Sequence, residues 1–336
     1  MKIGIYKDTL ANRRGADRAV ENLASALQER GARFGERGMG SGEWEVVLFE
    51  EREFEARMKE RWDVVISTGT NELLDLYDYF SVRSTRSTRL PLSPVPHFPF
   101  PIIQQFHTNP KSQFKWKRFV RNWKIRRALR YVAAIQVLRE EFVRQVAKYG
   151  PPVAVIGNWS EWEGRAPTGT ARSKTIIYPA VLGRGKNQQL AVESFASVSK
   201  DFSGWTLELY GDGTPSFPLP EGVAHKGYCD LGPVYASCAF IAFPSLDEGF
   251  PLTLVDAAAF GRPAVLVRDW IGTAAVGGGI VAEPTVASYA VALRRLMSNE
   301  EQLCEMGSAA KRFCTERYSR KSILDKWETL LESVVK

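Results

Sequence analysis

Short apolar runs alternating with helical patterns, twice over, constrain this chain more than any other feature. KIGIY, WEVVLF, DVVIST, PIIQQF, AAIQV and VAVIG recur through the first half. The clearest helical pattern between them puts Ala16, Ala19, Val20, Leu23 and Leu27 on one face. Residues 157–173, GNWSEWEGRAPTGTARS, read as a linker, and then the alternation restarts. KTIIY, a helix from Asn187 to Ser199, TLELY, a helix near Gly232 to Ser237, AFIAF, a helix from Pro251 to Phe260, and PAVLV follow in turn. Strands that feed helices need parallel pairing with crossovers. The expected fold is therefore α/β, with two Rossmann-like doubly wound domains facing a central cleft. Ligands of such sheets lie beyond the carboxyl ends of the strands, so the strand-to-helix loops hold the candidates. Residues 81–101, rich in Ser, Thr, Arg and Pro, read as a surface loop rather than a helix. From about Thr285 the chain reads as helical, with a break near Tyr318 and Ser319.

Composition narrows the functional classes. With 44% hydrophobic and 25% charged residues, the 336-residue chain can bury a core without disulfides or metals. No run approaches the roughly eighteen apolar residues of a membrane-spanning helix. MKIGIYKDTL lacks the pattern of a secretory signal, so a cytoplasmic setting is expected. Cys229, Cys238, Cys304 and Cys314 form no Cys-x-x-Cys pair and read as free thiols. His97, His107 and His225 are the only histidines, which argues against a histidine-rich metal site. Charge is local. Tyr79 to Arg139 holds thirteen Lys or Arg and no Asp or Glu, leaving −6 for the remainder of a chain whose net charge is +7. Such a block calls for an anionic partner: phosphate, nucleic acid or membrane.

Residues 239–267, AFIAFPSLDEGFPLTLVDAAAFGRPAVLV, carry the most specific pattern. A strand runs into a turn holding Glu248, Gly249, Phe250 and Pro251, and a helix starts at about Leu252. Gly249 lets backbone approach a ligand closely, and the first free N–H groups of the helix suit a diphosphate. Asp256 sits among Val255 and Ala257 to Ala259, which directs its carboxylate at a specific partner. Equally, Glu248 and Asp256 could serve only to favour a helix N-terminus through its dipole.

EGFPLTLVDAAAFGRPAVL resembles the signature of the GT-B nucleotide-sugar glycosyltransferases, specifically retaining family 4 (glycosyl transferases group 1). Further matches follow in order along the chain. Gly15-Ala16-Asp17-Arg18 resembles the turn after the first strand, VAVIGN the segment before the linker, LELYGDGT and AHKGYCD two donor-domain loops, and RYSRKSILDKW the closing helix. The resemblance implies an acceptor-binding domain over 1–160, a nucleotide-sugar-binding domain over 161–317, and a helix over 318–336 that crosses back to the first domain. It implies that Glu248 bonds the donor sugar and Asp256 the ribose, and that Gly15, Gly211, Asp212, Tyr228, Gly249, Phe250, Pro251, Leu252 and Thr253 line the donor site. It also implies catalysis without a metal or other cofactor. His107, at the end of PIIQQF, matches a family histidine that contacts the donor sugar.

The chain departs from the family pattern at several points. Asp256 replaces a Glu, Arg14 precedes Gly15 where the family pairs two glycines, and Val181 stands where an arginine is usual. Arg184 and Lys186, in the glycine-flanked loop GRGKN, are the candidate diphosphate clamp, with solvated loop charges as the alternative. The implied activity is metal-independent, retaining transfer of a hexosyl-type residue from a nucleotide-diphosphate sugar to a glycan or lipid-linked acceptor. Its family setting is bacterial lipopolysaccharide, O-antigen or capsule synthesis. A non-hydrolysing nucleotide-sugar epimerase and a non-catalytic nucleotide-sugar or RNA binder remain as alternatives.

Within 111–130, nine basic residues accompany Trp116, Phe119, Val120 and Trp123 at the spacing of one helical face. Lys115, Trp116, Lys117, Arg118, Arg121 and Trp123 are the candidate membrane or acceptor face, with an anionic inner membrane surface as the partner. Two alternatives stand: a core helix with its aromatics turned inward, and RNA binding without any recognised RNA motif.

Overall fold

The structure, a computed structural model, describes residues 1–7, 15–36, 44–85, 98–114, 119–166 and 172–335. It divides into two compact units, residues 1–158 with 323–336 and residues 159–322. In the first unit β1 (Lys2–Tyr6), α1 (Gly15–Glu36), β2 (Glu45–Phe49), α2 (Phe54–Arg57), β3 (Val64–Ser67), α3 (Thr70–Thr85) and β4 (Ile102–Phe106) come first. They are followed by α4 (Pro110–Gln113), α5 (Phe119–Ala128), β5 (Ala134–Val137), α6 (Val143–Val146) and β6 (Val153–Val155). The second unit holds β7 (Thr175–Pro179), α7 (Gln188–Val198), β8 (Thr206–Tyr210), β9 (Val223–Gly227), α8 (Gly232–Ser237) and β10 (Phe240–Phe243). Then come α9 (Leu252–Ala259), β11 (Ala264–Leu266), β12 (Gly279–Val281), α10 (Val286–Met297) and α11 (Glu300–Tyr318). The closing α12 (Arg320–Val335) packs, from Ile323 onward, with the first unit.

Each unit is built on a six-stranded sheet, in the order β2-β1-β3-β4-β5-β6 and β12-β11-β10-β7-β8-β9. Every pairing is parallel. Parallel strands are covered on both faces, which is why Val64–Ser67, Ile102–Phe106, Ala134–Val137 and Phe240–Phe243 are buried throughout. The first core is rich in aromatics: Tyr6 stacks on Phe49, and Phe49 on Trp62, at 5.2 and 5.7 Å between ring centroids. α12 buries Ile323, Leu324, Trp327, Leu330 and Leu331, a stripe at helical spacing. Arg30 of α1 pairs with Asp325 and Glu328 of the same helix at 2.6 and 2.5 Å.

The structure corrects three expectations. α3 continues through Thr85, so 81–85 are helical; the first proline of that stretch comes only at Pro91. AHKGYCD is not all loop, because Val223–Gly227 forms edge strand β9. The helical tail has a second break at Ser298 and Asn299, where the Asn299 side chain caps α11 by accepting from the Gln302 N–H. The predicted turn at Arg14, the remainder of the 81–101 loop up to residue 97, and Lys115, Trp116, Lys117 and Arg118 lie outside the described residues.

Trp327 is the largest fully buried side chain among the described residues and holds α12 to its unit. Trp327→Ala should cost about 3–5 kcal/mol of stability, read as an earlier urea transition in which the first unit unfolds.

Candidate active site

β7 is the strand from which the second sheet winds in both directions, with β8 on one side and β10 on the other. At such a switch point the loops leaving the two strands diverge to opposite faces and leave a crevice at the carboxyl edge. Here they are the loop after Pro179, holding GRGKN, and the loop after Phe243, holding PSLDEGFP. Backbone and side-chain bonds join them. Leu246 N–H donates to the Gly185 carbonyl at 2.9 Å, and Asn187 Nδ2 to the Pro244 carbonyl at 3.4 Å. Asn187 is left-handed, at φ 56°, which turns the chain sharply into α7.

The functional side chains meet on this frame. Lys186 Nζ lies 2.6 Å from Glu248 Oε1, and Ser245 Oγ donates to the same oxygen at 2.5 Å. Glu248 is buried while Lys186 is half-exposed, so the carboxylate is held from within and the ammonium reaches solvent. Tyr178 Oη donates to the Lys186 carbonyl at 2.5 Å, which fixes the loop from beneath. Gly249, Phe250 and Pro251 then lead into α9, and Thr253 Oγ1 donates to the Pro179 carbonyl at 3.1 Å. A cation, a fixed carboxylate and a helix N-terminus thus converge within a few residues. That set can hold a dianion and a polar group beside it.

The other predicted donor residues fall around this edge. Gly211 has φ 129° and its Cα lies against the Ala180 backbone, a position only glycine fits. Leu182 N–H bonds the Asp212 carbonyl at 2.9 Å, and Gly211 N–H the Gly227 carbonyl at 2.8 Å, which brings the loop ends of β7, β8 and β9 together. Tyr228, next along, is exposed. Arg184 lies in the short 3-10 turn with Lys186, its backbone alone described. Asp256 is only 2% exposed, and its Oδ1 accepts from Ser160 Oγ at 2.7 Å.

In the first unit the same logic applies at the switch between β1 and β3. Thr68 donates through N–H and Oγ1 to the Tyr6 carbonyl at 3.1 and 2.9 Å, and Lys7 pairs with Glu72 at 3.3 Å. His107 follows β4, its Nε2 buried and without a hydrogen-bond partner among the described residues. Burial, with the Lys7 charge second, holds its pKa down at about 4. Gly15 opens α1. Arg121 and Trp123, grouped in the sequence as one face, point apart. Arg121 turns toward α3, donating to Thr70 Oγ1 at 2.9 Å and Asn71 Oδ1 at 2.8 Å, whereas Trp123 is 48% exposed.

Sequence reasoning missed Ser245, Ser160, Lys7, Glu72 and Tyr318, whose ring packs edge-on against Phe250 at 5.2 Å. Ser245 alone carried a signal, three residues before Glu248 in the same turn. Among the described residues no group of three or more His, Cys, Asp or Glu could hold a metal ion, and no helix is long and apolar enough to cross a membrane.

Two parallel six-stranded α/β units define a GT-B fold. Over its full length the chain superposes on the Anabaena protein HepE, solved with UDP and glucose, with TM-score 0.73 at 15% identity, covering 99% of this chain and 100% of HepE. Residues 173–299 match the model of the family described as glycosyl transferases group 1. An exopolysaccharide phosphotransferase of Streptomyces coelicolor is 32% identical over 56% of this chain and 22% of its own length. The GtfA subunit of a Streptococcus pneumoniae UDP-N-acetylglucosamine–peptide N-acetylglucosaminyltransferase is 23% identical, over 60% of this chain and 43% of its own. The chain spans less than half the length of these curated relatives.

The His107 position has a pH consequence. Its folded pKa, about 4, lies below the ordinary imidazole value of 6.5, so above that value the residue contributes no pH dependence. As pH falls from 6.5 toward 4, the unfolded chain takes up a proton that the folded chain refuses, and stability is lost. His107→Gln should flatten this acid loss, seen as a smaller drop in urea midpoint between pH 7 and pH 4.5 than in the parent.

Proposed function

We propose that the protein is a retaining, metal-independent glycosyltransferase that moves a hexosyl-type residue from a nucleotide-diphosphate sugar to a glycan or lipid-linked acceptor. Synthesis of bacterial surface polysaccharide is its proposed setting. The observation that carries the reading is the Lys186–Glu248–Ser245 cluster at the switch point, beside the start of α9. In this reading the diphosphate takes Lys186, Arg184 and the N–H groups of Leu252 and Thr253 at the start of α9. Glu248, oriented by Ser245, accepts from the sugar hydroxyls. Asp256, held by Ser160, faces the ribose. As the glycosidic bond breaks, negative charge grows on the leaving diphosphate, and pre-oriented donors stabilise it more than they stabilise the bound donor. The acceptor hydroxyl gives its proton to that leaving phosphate.

The names of the pneumococcal relative and of the HepE complex both contain UDP, so UDP-sugars are the first donors to test. A thermal-shift screen across UDP-, GDP-, ADP- and dTDP-sugars should raise the melting temperature for one nucleotide, since ligand bound only to the folded state stabilises it. With that donor and an acceptor, the product should keep the anomeric configuration of the donor by NMR. Inversion, or an epimerised donor with no transfer, overturns the reading.

Glu248→Gln should lower kcat by about a hundred- to thousandfold, the usual scale for one polar group lost from such a site, with nucleotide affinity nearly unchanged. Lys186→Ala should weaken nucleotide binding as well. Activity should survive EDTA; loss restored by magnesium or manganese contradicts the cationic clamp.

A further inference from the structure

α5 packs with the wrong face for an ordinary amphipathic helix. Ile125, Ala128 and the following Leu129 are buried together with Asn122. Phe119 and Val120, by contrast, are 80% and 68% exposed, and Trp123 stands outward with them. At 100° per residue, Phe119, Val120, Trp123, Arg126 and Arg127 share the outer side of α5, opposite Ile125 and Ala128, and Arg130, just past its end, is exposed. The aromatic-inward alternative is therefore excluded for the described part of the stripe. Three apolar side chains lead and three arginines follow, about 10 Å further along the axis at 1.5 Å per residue. Arg127 lies 5.5 Å from the centroid of the Trp123 ring, which keeps its charge beside the aromatic rather than away from it.

We propose that this outer face of α5 docks on an anionic lipid surface. The occupant must combine negative charge with apolar depth. This face carries Arg126, Arg127 and Arg130 and no acid, which rules against a second copy of the same surface by like-charge repulsion. Nucleic acid supplies the charge and can stack on Phe119 or Trp123, but it offers nothing to the aliphatic Val120. A lipid interface supplies both: Phe119, Val120 and Trp123 enter the acyl boundary, while the arginines reach headgroup phosphates along their flexible stems. The proposal does not rest on the transfer chemistry, and its readout is independent of activity.

The test is co-sedimentation of the purified chain with vesicles of equal parts phosphatidylglycerol and phosphatidylcholine, beside vesicles of phosphatidylcholine alone. Partitioning should favour the anionic vesicles by about tenfold or more at low salt and fade as salt screens the charge. A combined Phe119→Ser, Val120→Ser, Trp123→Ser variant should lose about tenfold or more of the remaining affinity at moderate salt. These side chains fill no core space, so its melting curve should overlay that of the parent. Arg126→Ser with Arg130→Ser should instead reduce the salt-sensitive part. The proposal fails if the parent ignores anionic vesicles at low salt, if the triple variant binds them as the parent does, or if single-stranded RNA displaces the parent from vesicles and binds through the same three residues.

Discussion

β7 pairs in parallel with both β8 and β10, and the chain winds outward from it in opposite directions. A parallel pair needs a crossover, and crossovers on opposite faces cannot fill the space above the strand where they part. Everything at the candidate site follows from that vacancy. The two loops that border it have no sheet to join, so they bond each other through Gly185, Leu246, Asn187 and Pro244. Their charged residues then meet at close range although 62 positions separate Lys186 from Glu248. A buried carboxylate is costly unless it is paired and hydrogen-bonded. Lys186 and Ser245 meet that requirement on one oxygen, and together they fix the orientation of the carboxylate.

The arrangement also relates the specific residues to the tolerant ones. Gly211 allows the β8 loop to lie against the Ala180 backbone, Thr253 ties α9 to the end of β7, and Tyr318 supports Phe250. None of these side chains carries the charge, yet each limits how far the charged loop can move. Placement within a fraction of an ångström decides whether such groups stabilise a transition state or merely bind. Val181, beside this loop, is exposed and uncharged. Lys186 is then the cation that the described side chains place directly on Glu248.

What could be read from the chain sorts by range. In the first sheet β1, β3, β4 and β5 announce themselves as apolar runs because they are buried, and the half-exposed edges β2 and β6 are apolar runs as well. β9 and β12 do not: VAHKG carries a His and a Lys, and GIV is only three residues long. The Glu248 turn was legible because its whole chemistry lies within a dozen residues. The Ser160 bond to Asp256 and the Lys7 pair with Glu72 span 96 and 65 positions, and no local pattern encodes them. α3 ran past its expected end for a related reason. Ser and Thr weaken a helix only slightly, so composition alone does not stop one before a proline does.

α5 shows where helical periodicity misleads. The spacing of Phe119, Val120 and Trp123 is that of a core stripe, and periodicity carries no sign to say which side faces in. The neighbours decide it. Arg121 finds Thr70, Asn71 and the Gln113 carbonyl on the inner side, and Lys124 finds Asp78, so two cations of the block are spent on internal bonds. Small and aliphatic residues, Ile125, Ala128 and Leu129, suffice to seat the helix. Aromatics on the inner side would have to displace those polar bonds, whereas on the outer side they leave them intact. A helix that spends its polar groups inward and its largest apolar groups outward is stable only because its seat is small, and it presents to the surroundings the chemistry that a folded core would ordinarily keep for itself.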